Sequence, residues 1–163
     1  MDNNFYSNGA SNSGGSTIQD ATTIQQMSNY EPHNKILLIE DNPGDARLVE
    51  ILLSESDLLN CKITNKVNLA DGMAALEEAD DFAAILLDLT LPDSRGFETL
   101  ETLLAKYPDN NVIVLTGLQD KSLGINSVKA GAQDFLIKGA FDSDQLSKSL
   151  RYSIERNLVL KRL

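Results

Sequence analysis

Lys35-Ile36-Leu37-Leu38-Ile39-Glu40-Asp41 is an apolar run that ends on two adjacent carboxylates, and Ala84-Ile85-Leu86-Leu87-Asp88 repeats the pattern with one. A short continuous apolar run bounded by turn signals reads as a strand buried on both faces of a parallel sheet. Open α/β sheets bind their ligands outside the carboxyl ends of such strands. Glu40, Asp41 and Asp88 are therefore expected to converge on that edge. Carboxylates gathered there need a cation, and hard oxygen ligands suit Mg²⁺.

Outward from these runs, strand-like and helix-like segments alternate. The strands are predicted at Lys35 to Glu40, Lys62 to Val67, Ala84 to Asp88, Asn111 to Thr116 and Asp134 to Ile137. After the first strand, Asn42 reads as an N-cap with Pro43 at the first helical position, and the helix runs to Ser54 with Ala46, Val49, Leu52 and Leu53 inward. The second helix covers Leu69 to Ala79, with Met73, Leu76 and Ala79 inward. The third covers Gly96 to Lys106, where Tyr107-Pro108-Asp109 stops it. The fourth covers Lys121 to Ala130, closed by Gly131 as a left-handed cap. Asp142 and Gln145 form a capping-box-like start to the fifth, which meets no breaker before Leu163. This alternation predicts a doubly wound five-stranded parallel α/β sheet with helices on both faces.

The chain has 163 residues, 42% of them hydrophobic, and a net charge of −10. One domain with one packed core is the expectation. The acidic balance argues against direct nucleic-acid binding and against adsorption to anionic lipid. A single cysteine, Cys61, permits no internal disulfide and fits a reducing, cytoplasmic setting. No apolar stretch is long enough to span a membrane, and no secretory signal opens the chain. Residues 1–33 are rich in Asn, Ser, Gly, Thr and Gln without periodicity and read as a disordered lead. Residues 34–153 form the expected folded domain, and residues 154–163 extend the last helix.

Taken in order, Glu40-Asp41 after strand one, Asp88 after strand three followed by Pro92 and Gly96, Thr116-Gly117 after strand four and Lys138 after strand five resemble the receiver domain of two-component response regulators. The resemblance implies a flavodoxin-like fold with strand order 2-1-3-4-5. It implies that Asp88 is the phosphoacceptor, that Asp41, Asp88 and the backbone carbonyl of Thr90 hold Mg²⁺ (Mn²⁺ could replace it), and that Glu40 acts through water or hydrogen bonds. Lys138 and the Gly117 N–H would hold the phosphoryl group. Thr116 and Phe135 would be the switch pair, altering the surface of helix four, strand five and helix five. A sensor histidine kinase or histidine phosphotransfer protein would be the donor, and a homodimer is expected, either through the extension of helix five or through the surface of helix four, strand five and helix five. The chemistry agrees: phosphoryl transfer is chiefly positioning plus neutralisation of oxygen charge.

Some positions depart from the pattern. Gly139 follows Lys138 where the family usually has proline, so a trans bond is expected there. Thr90 and Leu118 stand at the positions that, by the resemblance, would flank the path of an attacking water, and neither offers an acid or amide to orient it, which predicts slow autodephosphorylation. Thr90 also stands where a haloacid-dehalogenase-type phosphatase, the rival reading, needs a second acid. A flavodoxin-like interaction module that is never phosphorylated is the other alternative. In the tail, Leu150, Ile154 and Leu158 recur at four-residue spacing. They suit either a coiled-coil continuation into a longer protein or simple packing of helix five on the sheet.

Overall fold

The hydrophobic runs pair side by side. The computed structural model describes residues 34–58 and 60–162, so the expected disordered lead lies outside the described residues. The strands are β1 (Asn34–Ile39), β2 (Cys61–Lys66), β3 (Ala84–Asp88), β4 (Val112–Thr116) and β5 (Asp134–Ile137). They form one parallel sheet in the order β2-β1-β3-β4-β5, as the resemblance implied. The helices are α1 (Pro43–Ser54), α2 (Leu69–Glu78), α3 (Phe97–Lys106), α4 (Lys121–Lys129) and α5 (Ser143–Arg162).

Each central strand feeds two cores, because successive side chains point to opposite faces. Leu37, Ile39, Ile85, Leu87, Val112 and Val114 pack under α2 and α3, with Leu123 of α4 at the margin. Ile36, Leu38, Leu86, Ile113 and Leu115 pack against Ala46, Val49 and Leu53 of α1 and Leu146 and Leu150 of α5. Both faces being dry, these strands show no polar alternation. Each fully buried aliphatic side chain contributes roughly 1.5–3 kcal/mol over exposure.

Local chemistry fixes the helix starts. Asn42 accepts the Asp45 N–H at 3.0 Å, and Asn68 accepts the Asp71 N–H at 2.7 Å. At α5, Gln145 N–H donates to Asp142 at 2.8 Å and Asp142 N–H donates back to Gln145 at 3.2 Å, so the capping box is complete.

Several bounds move. β2 is Cys61–Lys66, one residue earlier than predicted, because Asn34 pairs with Cys61 and Val67 is 51% exposed beyond the ladder. β1 likewise starts and ends one residue early, at Asn34 and Ile39. Gly96 (φ 74°) precedes α3 as its N-cap, and Ala79 and Ala130 cap α2 and α4 from outside. In α2 the fully buried positions are Leu69, Gly72, Ala75 and Leu76, while Met73 is half-buried, as is Leu52 in α1. No peptide bond among the described residues is cis, so Lys138-Gly139 is trans; Gly139 turns the chain at φ 79°, which glycine alone adopts freely.

Candidate functional site

The strand order reverses between β1 and β3, and the crevice at their carboxyl ends is where such a sheet receives a ligand. Glu40 and Asp41 follow β1 there and Asp88 ends β3. Carboxylate oxygens of the three lie within 4.8 Å of one another, with Glu40 and Asp88 buried and Asp41 exposed. Lys138, just past β5, reaches across β4 into this group. Its Nζ is 2.8 Å from Glu40 Oε2, 2.9 Å from Asp88 Oδ2 and 3.2 Å from Asp45 Oδ2.

The backbone presents the rest. Asp88 Oδ1 accepts the Thr90 N–H at 3.1 Å, and Glu40 Oε1 accepts the Asn42 N–H at 3.1 Å. Leu89 and Leu91 are buried anchors on either side of exposed Thr90. The loop closes on itself through Leu91 N–H to Ser94 O at 2.9 Å and Gly96 N–H to Leu89 O at 2.7 Å. Asp93 ties its tip to α2 by accepting the Leu69 and Ala70 N–H groups at 2.9 and 3.0 Å. Thr116, at the end of β4, is 2% exposed and its Oγ1 has no partner among the described residues. Gly117 follows it, half-buried. Phe135 is half-buried with its ring over Gly124 of α4, where a Cβ would overlap it.

Burial raises the Glu40 carboxyl to about 7, against the opposing pull of its bonds to Lys138 and the Asn42 N–H. Burial also works against the charge on Lys138, but its bonds to Glu40 and Asp88 outweigh it and hold the ammonium above the ordinary lysine range. For Asp93, some desolvation is overcome by the two α2 amides, and the carboxyl stays below its usual value.

The structure thus gathers Glu40, Asp41, Asp88, Thr90, Thr116, Gly117 and Lys138 at one edge and sets Phe135 beside α4. The donor set fits a hard divalent cation: it is all oxygen, its acids outnumber the lysine, and Asp41 opens it to solvent. Sequence reasoning missed Asp45, Asp93 and Asn65, whose Nδ2 donates to the Leu38 and Glu40 carbonyls at 3.0 and 3.3 Å. The available signal was position: a first-turn acid after β1 and an acid in the loop after β3 both lie at the ligand edge.

Fold and site together define a class, a doubly wound α/β domain with a lysine-bridged acidic pocket at its switch point. The profile of the response regulator receiver domain matches residues 36–151, and the chain belongs to that family. The cell cycle response regulator CtrA of Brucella ovis is 30% identical over 123 residues, which cover 76% of this chain and 51% of the relative. The chain thus spans about half the length of the curated relatives it matches. A response regulator receiver domain protein from Clostridium thermocellum superposes with a TM-score of 0.68 at 24% identity, over 77% of this chain and 98% of that one. NtrX from Brucella abortus gives 0.69 at 21% identity, over 78% of this chain and 28% of NtrX. These two likenesses bear on the fold. No helix among the described residues is long and apolar enough to cross a membrane.

Proposed function

We propose that this chain is a phosphorelay switch in which Asp88 accepts a phosphoryl group from a sensor histidine kinase or a histidine phosphotransfer protein. The observation that carries the reading is the buried Asp88 carboxylate held 2.9 Å from Lys138 at the mouth of an acidic crevice, with the unpartnered Thr116 hydroxyl at the next strand end. An Asp88 oxygen attacks phosphorus as the bond from phosphorus to the donor nitrogen breaks and the histidine leaves. Lys138 shifts part of its charge from carboxylate to phosphoryl oxygen, and the Gly117 N–H and Thr116 hydroxyl take others. Mg²⁺, or Mn²⁺ in its place, would be held by Asp41, Asp88 and the Thr90 carbonyl, with Glu40 acting through water. When bound it neutralises charge on the transferring oxygens.

Thr116, drawn toward the phosphoryl group, would vacate space that Phe135 turns inward to fill. That rearranges the surface of α4, β5 and α5, the proposed output. The domain performs self-phosphorylation and slow hydrolysis rather than turnover on a free substrate, and a cytoplasmic setting suits its partners. The homodimer proposal rests on α5. Leu150 is buried and Ile154 half-buried, whereas Leu158, Val159 and Leu160 are 52, 59 and 55% exposed beyond the sheet. Sedimentation of the full chain beside one ending at Ser153 tests it; two monomers would remove it. The proposed domain span is 34–153, with 154–163 as the helical extension.

The deciding experiment is incubation with acetyl phosphate and Mg²⁺. One phosphoryl group should appear on the wild type and none on Asp88→Asn, read by intact mass. Undiminished labelling of the variant would overturn the assignment.

A further inference from the structure

Lys138 is shared among three carboxylates, but only two come from strand ends. The third, Asp45, reaches in from the first turn of α1, 93 residues away in the chain. Its side chain is 43% exposed, whereas those of Glu40 and Asp88 are 0% and 5% exposed. Nor is it needed to start the helix, because Asn42 supplies the cap by accepting the Asp45 N–H.

From this asymmetry we propose that Asp45 is a positioning residue acting through Lys138: it is the exchangeable partner that the incoming phosphoryl group displaces, and so an electrostatic brake that is strongest against highly charged donors. The inference rests on Asp88 being the phosphoacceptor. An ammonium has three donor hydrogens, and here three carboxylates crowd it within 3.2 Å. A phosphoryl oxygen that needs one must displace a carboxylate. Releasing Glu40 or Asp88 would leave a buried charge without its cation, which is strongly unfavourable. Releasing Asp45 returns a half-exposed carboxylate to water at small cost. Asp45 is therefore the partner that leaves. Its charge nevertheless stays at the mouth of the site, opposing the approach of an anionic donor and the dianion formed on Asp88. In the transfer from acetyl phosphate, an Asp88 oxygen bonds to phosphorus, the bond from phosphorus to the acetyl oxygen breaks, and acetate leaves with that electron pair. Lys138 keeps its proton throughout.

The test uses the full chain at saturating Mg²⁺ and follows the initial rate of labelling. Asp45→Asn, which keeps shape and loses charge, should label about threefold faster with acetyl phosphate at low salt. The gain should shrink as salt rises, since exposed charges are screened. It should be smaller with phosphoramidate, which carries less negative charge, and Asp45→Glu should label at the wild-type rate. None of these responses is expected if Asp45 only supports the fold. A rate for Asp45→Asn that is equal to or slower than wild type, or a gain undiminished by salt, overturns the proposal. A wild type that takes no label defeats the phosphoacceptor reading instead, so the two failures are distinct.

Discussion

Helices α2 and α4 flank the same face of the sheet but are anchored differently. The first backbone amides of α2 are all satisfied, Leu69 and Ala70 by Asp93 and Asp71 by Asn68, and the helix buries Leu69, Gly72, Ala75 and Leu76. α4 emerges from a 3₁₀ turn at Leu118–Asp120 without a side-chain cap, and buries only Gly124 and Ser127. Ile125 and Val128 of α4 face water, and every residue of the neighbouring β5 is only half-buried, whereas all of β3 is buried. Segments with few buried apolar contacts open at low free-energy cost. The side of the sheet that carries Glu40, Asp41 and Asp88 is built to hold charge in place. The side that carries Phe135 is held by fewer buried apolar contacts.

The largest test of this contrast is stability. Leu76→Ala, which empties a buried position of α2, should cost about 2–5 kcal/mol. Ile125→Ala, on exposed α4, should cost about 0.5 kcal/mol or less. Urea denaturation of both measures it, and similar losses would break the contrast.

Next comes phosphoryl lifetime. Leu118 is 74% exposed at the start of the loosely held side and offers no hydrogen bond to an attacking water. Leu118→Gln should speed phosphate release from the labelled protein by up to about tenfold, or ~1.4 kcal/mol of barrier. Unchanged release would mean that water is not controlled there.

Asp93→Ala removes the tether on the held side. A loss of about 1 kcal/mol is expected, as for a helix cap, together with weaker Mg²⁺ binding as the Thr90 carbonyl loosens. Titration by tyrosine fluorescence beside a denaturation curve separates the two. Lost stability with unchanged Mg²⁺ affinity would show that Leu89 and Leu91 fix the loop alone.

The smallest energetic effect is expected from Gly124→Ala. Alanine gains about 1 kcal/mol of helix propensity over glycine, which offsets the cost of moving the Phe135 ring. Net stability should barely change, yet NMR should show the ring and the amides of α4 and β5 displaced without phosphorylation. An unmoved ring would mean that α4 shifts instead.

Much of this was legible in the chain because it is local. Continuous apolar runs mark strands that are dry on both faces, and an acid at the end of such a run is carried to the ligand edge wherever the strand is placed. Glu40, Asp41 and Asp88 were found that way, Thr116 and Lys138 came from the family resemblance, and the capping pairs Asn42 with Asp45 and Asp142 with Gln145 act within one turn of chain. Strand ends were read one residue off where inter-strand register, which no single strand contains, set the boundary, as at Val67. Only the tertiary structure decided which charges meet. Lys138 finds Asp45 across 93 residues, Asp93 finds the amides of α2 across 24, and Phe135 lies on Gly124 because α4 packs beside β5. Such contacts depend on the packing distance between elements and on side-chain reach, and neither quantity leaves a period in the sequence.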